Sequence, residues 1–134
     1  MGFTRSLYQT IGGFDESFLY QEDAEICWRA QVAGFKLHYV EQAIVYYRLK
    51  HTLPATYKQA RNWGEAYILL LDKYGQPISK IFKLKLILGW RHLIVDVSKI
   101  RSKAQLFSWV RRLGWRVGEM QGCVKYLFLG LGNS

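Results

Sequence analysis

No apolar run in this 134-residue chain reaches the roughly 18–20 residues needed to cross a bilayer, because Lys85, Arg91 and Asp96 interrupt the best candidate. The first ten residues, MGFTRSLYQT, lack the apolar core of a secretory signal. Only two cysteines occur, Cys27 and Cys123; far apart, they read as free thiols of a reducing compartment rather than as a disulfide framework. Together these absences point to the cytoplasmic side of a membrane. There is no Asp-x-Asp, no phosphate-cradling glycine loop and no dinucleotide-binding fingerprint. Helix-turn-helix, zinc-finger and RNP signatures are missing too, which argues against nucleic-acid binding despite an isoelectric point near 9.7. His38, His51 and His92 are scattered without metal-ligand spacing.

Acidic residues are scarce in one half only. Residues 1–75 carry eight Lys/Arg against eight Asp/Glu, whereas residues 76–134 carry eleven against two, so the net charge of +9 arises in the second part. The boundary falls at Gly75-Gln76-Pro77, a turn signal that ends the preceding helical pattern. Beyond it, Lys80, Lys83, Lys85 and Arg91 interleave with Ile81, Phe82, Leu84, Ile87, Leu88, Trp90 and Leu93. Farther on, Leu106, Val110, Leu113 and Val117 form one helical stripe beside Arg111, Arg112 and Arg116. Such basic amphipathic helices suit the headgroup region of an anionic leaflet, or pack their apolar faces on another part of a protein. Amphipathicity alone leaves both open.

The densest chemistry lies in residues 12–29, GGFDESFLYQEDAEICWR. Gly12 and Gly13 permit a sharp turn with positive φ and close approach to a ligand, and Phe14 is expected to plug that turn into a core. Asp15 and Glu16 leave the turn. Glu22 and Asp23 then open a helix that Gly34 ends. On that helix Asp23 shares a face with Ile26, Cys27 and Ala30, while Glu22, Glu25 and Arg29 fall toward the other side. An inward carboxylate in a first turn either caps the helix or faces a cleft. Glu25 and Arg29, spaced i,i+4, are expected to form an ordinary ion pair.

The run from Gly12 to Tyr47 resembles the C-terminal, acceptor-side half of the catalytic domain of inverting family 2 glycosyltransferases, which have the GT-A fold. It carries the family's Gly-Gly-Phe-Asp-Glu turn (Gly12, Gly13, Phe14, Asp15, Glu16), its Glu-Asp pair (Glu22, Asp23), its arginine (Arg29) and its glycine (Gly34) in order. The resemblance implies that Asp23 is the general base toward an acceptor hydroxyl, with Glu22 in support. It also implies that Gly12–Glu16 and Arg29 lie on the acceptor side. Gln59, Arg61 and Trp63 echo a Gln-x-x-Arg-Trp motif of processive members, yet Asn62 stands where the arginine belongs, so processive polymer synthesis is not expected. These three are candidate phosphate or sugar contacts, or members of a plain amphipathic helix.

Where many relatives place a histidine, this chain has Tyr46 and Tyr47, so it offers no metal ligand, and the Mg²⁺ or Mn²⁺ of a complete enzyme is expected to be held elsewhere. The nucleotide-binding half of the family's domain would precede Gly12, so residues 1–75 read as an incomplete transferase domain and residues 76–134 as a basic helical extension. The expected protein is a fragment, inactive alone, of an enzyme moving sugar from a nucleotide donor to a saccharide or lipid-linked acceptor. Cell-envelope polysaccharide or glycolipid synthesis at the inner membrane face fits best. The alternative is a non-catalytic membrane-surface or protein-interaction module. Within an α/β parent fold this part is expected to be helix-rich α+β. Helices cover about 21–33 and 53–74 with two or three more to follow, and one or two strands lie in the Val/Ile/Tyr-rich segment Lys36–Arg48.

Overall fold

The computed structural model describes residues 2–74 and 80–128, with side chains for all but 80–88 and 127–128. Helix dominates. The elements are α1 (Arg5–Thr10), α2 (Glu22–Val32), α3 (Leu53–Lys73), α4 (Lys80–Val97), α5 (Lys103–Gly122) and a π-helical turn (Cys123–Phe128). Packing divides the chain into two compact units, one ending at Arg48 and the other beginning at Leu49. The charge boundary at Gly75–Pro77 lies outside the described residues, as do the side chains of Ile81, Phe82, Leu84, Ile87, Leu88, Lys80, Lys83 and Lys85.

In the first unit local chemistry sets the helix ends. Thr4 caps α1 by accepting the Leu7 amide through its hydroxyl. The C-terminus of α2 closes on Gly34, whose φ is +88°: its N–H bonds the Gln31 carbonyl, and Phe35 N–H reaches the Ala30 carbonyl at 2.9 Å. This pairing satisfies carbonyls that the helix leaves open, and it needs a residue comfortable at positive φ. The expected helix over 21–33 is therefore present almost to the residue.

The expected strand is not. Among the described residues no strand forms, and Lys36–Arg48 is irregular chain exposed along its length; Tyr39 is 92% and Tyr46 is 96% accessible. Val, Ile and Tyr favour strands only when a neighbouring strand supplies hydrogen bonds and a packed face. Nothing among the described residues pairs with this segment as a sheet.

The second unit is built on α3 and α5. Thr52 caps α3 with Pro54 in its first turn, and α5 begins with a reciprocal capping box between Ser102 and Gln105. The two helices touch backbone to backbone. A Cβ on Gly114 would lie 2.6 Å from the Tyr57 carbonyl oxygen, one on Gly118 would collide with the Arg61 carbonyl, and one on Gly122 would meet Ile68 at 2.7 Å. From the other side, Gly64 leaves room for the Trp115 carbonyl. Contacts advance together along both helices, so α3 and α5 run parallel. Ala60, Ile68, Leu70 and Leu71 supply the buried core.

Helix α4 returns the chain between them. Trp109 of α5 donates its indole N–H to the Leu93 carbonyl at 2.9 Å, and Arg112 bonds Asp96 at 2.7 Å. Gly89, farther back on α4, sits against Arg116, so α4 is antiparallel to α5. Glu119 is buried because its carboxylate accepts from Trp115 at 2.8 Å and from Arg116 at 2.6 Å. Among the described residues no helix is long and apolar enough to cross a membrane.

Candidate active site

The Gly12-Gly13 turn has the left-handed backbone its composition allows, with φ of +79° and +77°. It follows α1 directly, and the Gly13 amide bonds the Tyr8 carbonyl at 2.9 Å. Gly13 is required on a second count, since a Cβ there would sit 2.8 Å from the Tyr8 hydroxyl. Phe14, expected to enter a core, instead stays 44% exposed and packs edge-on against Phe3 and Tyr8, themselves stacked with centroids 5.7 Å apart. Phe18 is the aromatic ring of this stretch that is buried.

Arg29 holds the turn. Its Nη1 donates to the Ile11 carbonyl and its Nη2 to the Gly13 carbonyl, each at 2.6 Å, while Nη2 also meets Glu25 Oε2 at 2.8 Å. Glu25 is completely buried. The pairing expected from the i,i+4 spacing is present, but it is not an ordinary surface pair. The inward face keeps the expected Ile26 and Ala30 but takes in Glu25 as well. Glu25, Ile26 and Ala30 are buried, and Asp23, expected on the inward stripe, is exposed. Apolar periodicity placed Ile26 and Ala30 but missed Glu25, because a carboxylate matched to a guanidinium tolerates burial, and the turn's carbonyls recruit that guanidinium.

Asp23 and Glu22 thus stand in solvent at the first turn of α2, where unsatisfied amides and the helix dipole favour negative charge. Asp23 Oδ1 accepts the Ala24 amide at 2.8 Å, and its other oxygen atom has no such bond among the described residues. Its charge reaches Cys27 one turn later: burial first, and the Asp23 carboxylate second, push the Cys27 thiol above its usual range. Glu16 is exposed. Asp15 shapes the loop, its Oδ1 accepting the Ser17 amide at 2.9 Å and the Ser17 hydroxyl at 2.7 Å.

Gln59, Arg61 and Trp63 are all half-buried on α3. Gln59 and Trp63 lie one turn apart on one side of the helix, and Arg61, two residues from each, points away from both. Tyr46 and Tyr47 are exposed. No three metal-ligating side chains converge among the described residues, so these residues do not compose a divalent-cation site and no catalytic step is assigned to one.

Residues 1–131 match the family described as glycosyl transferase family group 2, and the chain belongs to that family. It is a glycosyltransferase sequence, consistent with the GT-A parent fold that the glycine turn and Glu-Asp pair suggest. No curated protein and no solved structure matches it.

Proposed function

We propose that this chain forms the acceptor side of an inverting sugar transferase and that Asp23 is its general base. The observation behind this reading is the Arg29 clamp: one guanidinium fixes both the glycine turn and the inward face of α2, which leaves Glu22 and Asp23 presented at that helix's open end. In the reaction the acceptor hydroxyl oxygen attacks the anomeric carbon of a nucleotide sugar. Its proton passes to the Asp23 carboxylate, and the bond to the nucleotide diphosphate breaks with its electron pair leaving on the diphosphate. A single displacement of this kind inverts the anomeric centre.

Glu22 keeps the local field negative, and Gly12–Glu16 line the acceptor. Gln59 and Trp63 are further candidate sugar contacts. A divalent cation, held by residues outside this chain, supplies charge neutralisation at the diphosphate when bound. The acceptor is a saccharide or lipid-linked saccharide of envelope polysaccharide or glycolipid synthesis. The eleven basic residues of 76–134 hold the enzyme at the inner membrane face.

The test is an Asp23→Asn variant of the full-length enzyme that contains this chain. Donor binding should persist while transfer falls by about a hundredfold or more. Retained transfer would remove Asp23 from the role.

A second reading, a non-catalytic membrane-surface module, is favoured by the same charge asymmetry. Flotation of the chain with anionic and with neutral liposomes separates the two uses of the basic helices; equal recovery with both lipids removes the membrane role.

A further inference from the structure

Between α3, α5 and the π-helical turn lies a groove of about 460 Å³, lined by Arg61, Glu65, Met120, Gln121, Val124 and Lys125. Its charges are unevenly matched. Arg61 and Glu65 are four residues apart on α3, the spacing at which a helix ordinarily pairs opposite charges. Glu65 pairs instead with Lys125, its Oε1 accepting from Lys125 Nζ at 2.9 Å and from the Tyr126 hydroxyl at 3.3 Å. Hydrogen bonding to Glu65 first, and to Tyr126 second, holds the Lys125 ammonium above its usual pKa, so it remains charged. Among the described residues, Arg61 Nε is buried without an acceptor. A buried N–H donor without a partner is uncommon and costly, and a guanidinium presents a planar fork suited to phosphate or carboxylate oxygens. Met120 and Val124 give the groove an aliphatic wall, while Gln121 adds an amide.

Two features keep this site formed. The glycine contacts between α3 and α5 fix the backbone carrying Arg61 against that carrying Met120 and Gln121. The π-helical turn widens the helix where Val124 and Lys125 project, an irregularity found disproportionately at functional sites.

We propose that this groove binds a phosphate group borne on an aliphatic segment, with Arg61 as its principal ligand. The site stands on the second unit alone and does not depend on the role of Asp23. The phosphate is either that of a lipid headgroup or a free phosphate, and the two arms of the test distinguish them.

The full chain is titrated with inorganic phosphate against chloride at constant ionic strength, and separately with phosphatidylcholine vesicles with and without phosphatidylglycerol. Backbone amide shifts at 61, 121, 124 and 125 and vesicle co-sedimentation are followed. A response to inorganic phosphate means that the phosphate group suffices; a response to phosphatidylglycerol vesicles alone means a lipid headgroup. Arg61→Gln should weaken binding by about tenfold or more. Loss of one charge at exposed Lys103, by Lys103→Gln, should leave it nearly unchanged. Met120→Glu, at a position 48% exposed and hence tolerant of change, should also abolish binding, by repulsion. The proposal is overturned if neither probe shifts those amides in the wild-type chain, if Arg61→Gln and Met120→Glu bind normally, or if Lys103→Gln loses as much as Arg61→Gln.

Discussion

The Glu25 carboxylate, with none of its surface open to solvent, lies 2.8 Å from an Arg29 guanidinium that also grips the carbonyls of Ile11 and Gly13. Removing one partner from a buried pair strands the other, at a cost of about 3–5 kcal/mol. Glu25→Ala should therefore destabilise the first unit by about that amount. Denaturant unfolding followed by Trp28 fluorescence measures it. A loss below about 1 kcal/mol, the worth of an exposed pair, would mean that the clamp does not hold the turn.

Gly118→Ala sets two effects of opposite sign against each other. Alanine in a helix interior gains about 1 kcal/mol over glycine. The added methyl, however, collides with the Arg61 carbonyl, a backbone atom that moves only with its helix, and overpacking costs about 1–3 kcal/mol or more. Net destabilisation is expected, with a lower melting temperature. Ser108→Ala, at an exposed position of the same helix, should not lower it; a Gly118→Ala chain as stable as wild type would show that the helices do not touch there.

Thiol chemistry reports the Asp23 charge without any substrate. With its pKa raised by burial and by Asp23, Cys27 should alkylate more slowly at pH 8 than the same cysteine in the denatured chain. Asp23→Asn removes the second cause and should quicken the reaction. An unchanged rate would place the carboxylate too far from Cys27 to be felt. Cys123, raised by burial and then by Glu119, serves as the internal reference.

Asp96 links α4 to α5, and its bonds to Lys99 and then Arg112 hold its pKa below the usual carboxylate range. A group whose pKa is lower folded than unfolded lends stability above the unfolded value, near pH 4, and loses it as pH falls through the folded value. Asp96→Asn should thus melt below wild type at pH 6, and the gap should close toward pH 2. A gap independent of pH would exclude the ionised carboxylate as its source.

Much of the frame was legible in the chain itself. The glycines at 12, 13 and 34 announced positive φ, and the helices at 22–32 and 53–73 followed from caps, periodicity and glycine stops. On α2 the inward places of Ile26 and Ala30 were legible, but the burial of Glu25 and the exposure of Asp23 were not: they depend on carbonyls of Ile11 and Gly13 that sequence periodicity does not weigh. Lys36–Arg48 failed as a strand because strand propensity is a statement about neighbours. The glycine repeat of four at 114, 118 and 122 gave no reading in the sequence, since its meaning needs the facing helix, where Ala60, Gly64 and Ile68 take the complementary places.

That repeat has a mechanical consequence. A seam that recurs every four residues matches itself again after a slide of one turn, about 6 Å at 1.5 Å per residue, so glycines alone do not determine where α5 stops along α3. Registry must come from something that does not repeat. The bond from Lys125 to Glu65 is such a feature, since sixty residues of chain separate its ends and no equivalent partner waits a turn away at Arg61, Asn62, Ile68 or Leu69. The groove at the end of the seam is thus also the stop that indexes one helix against the other.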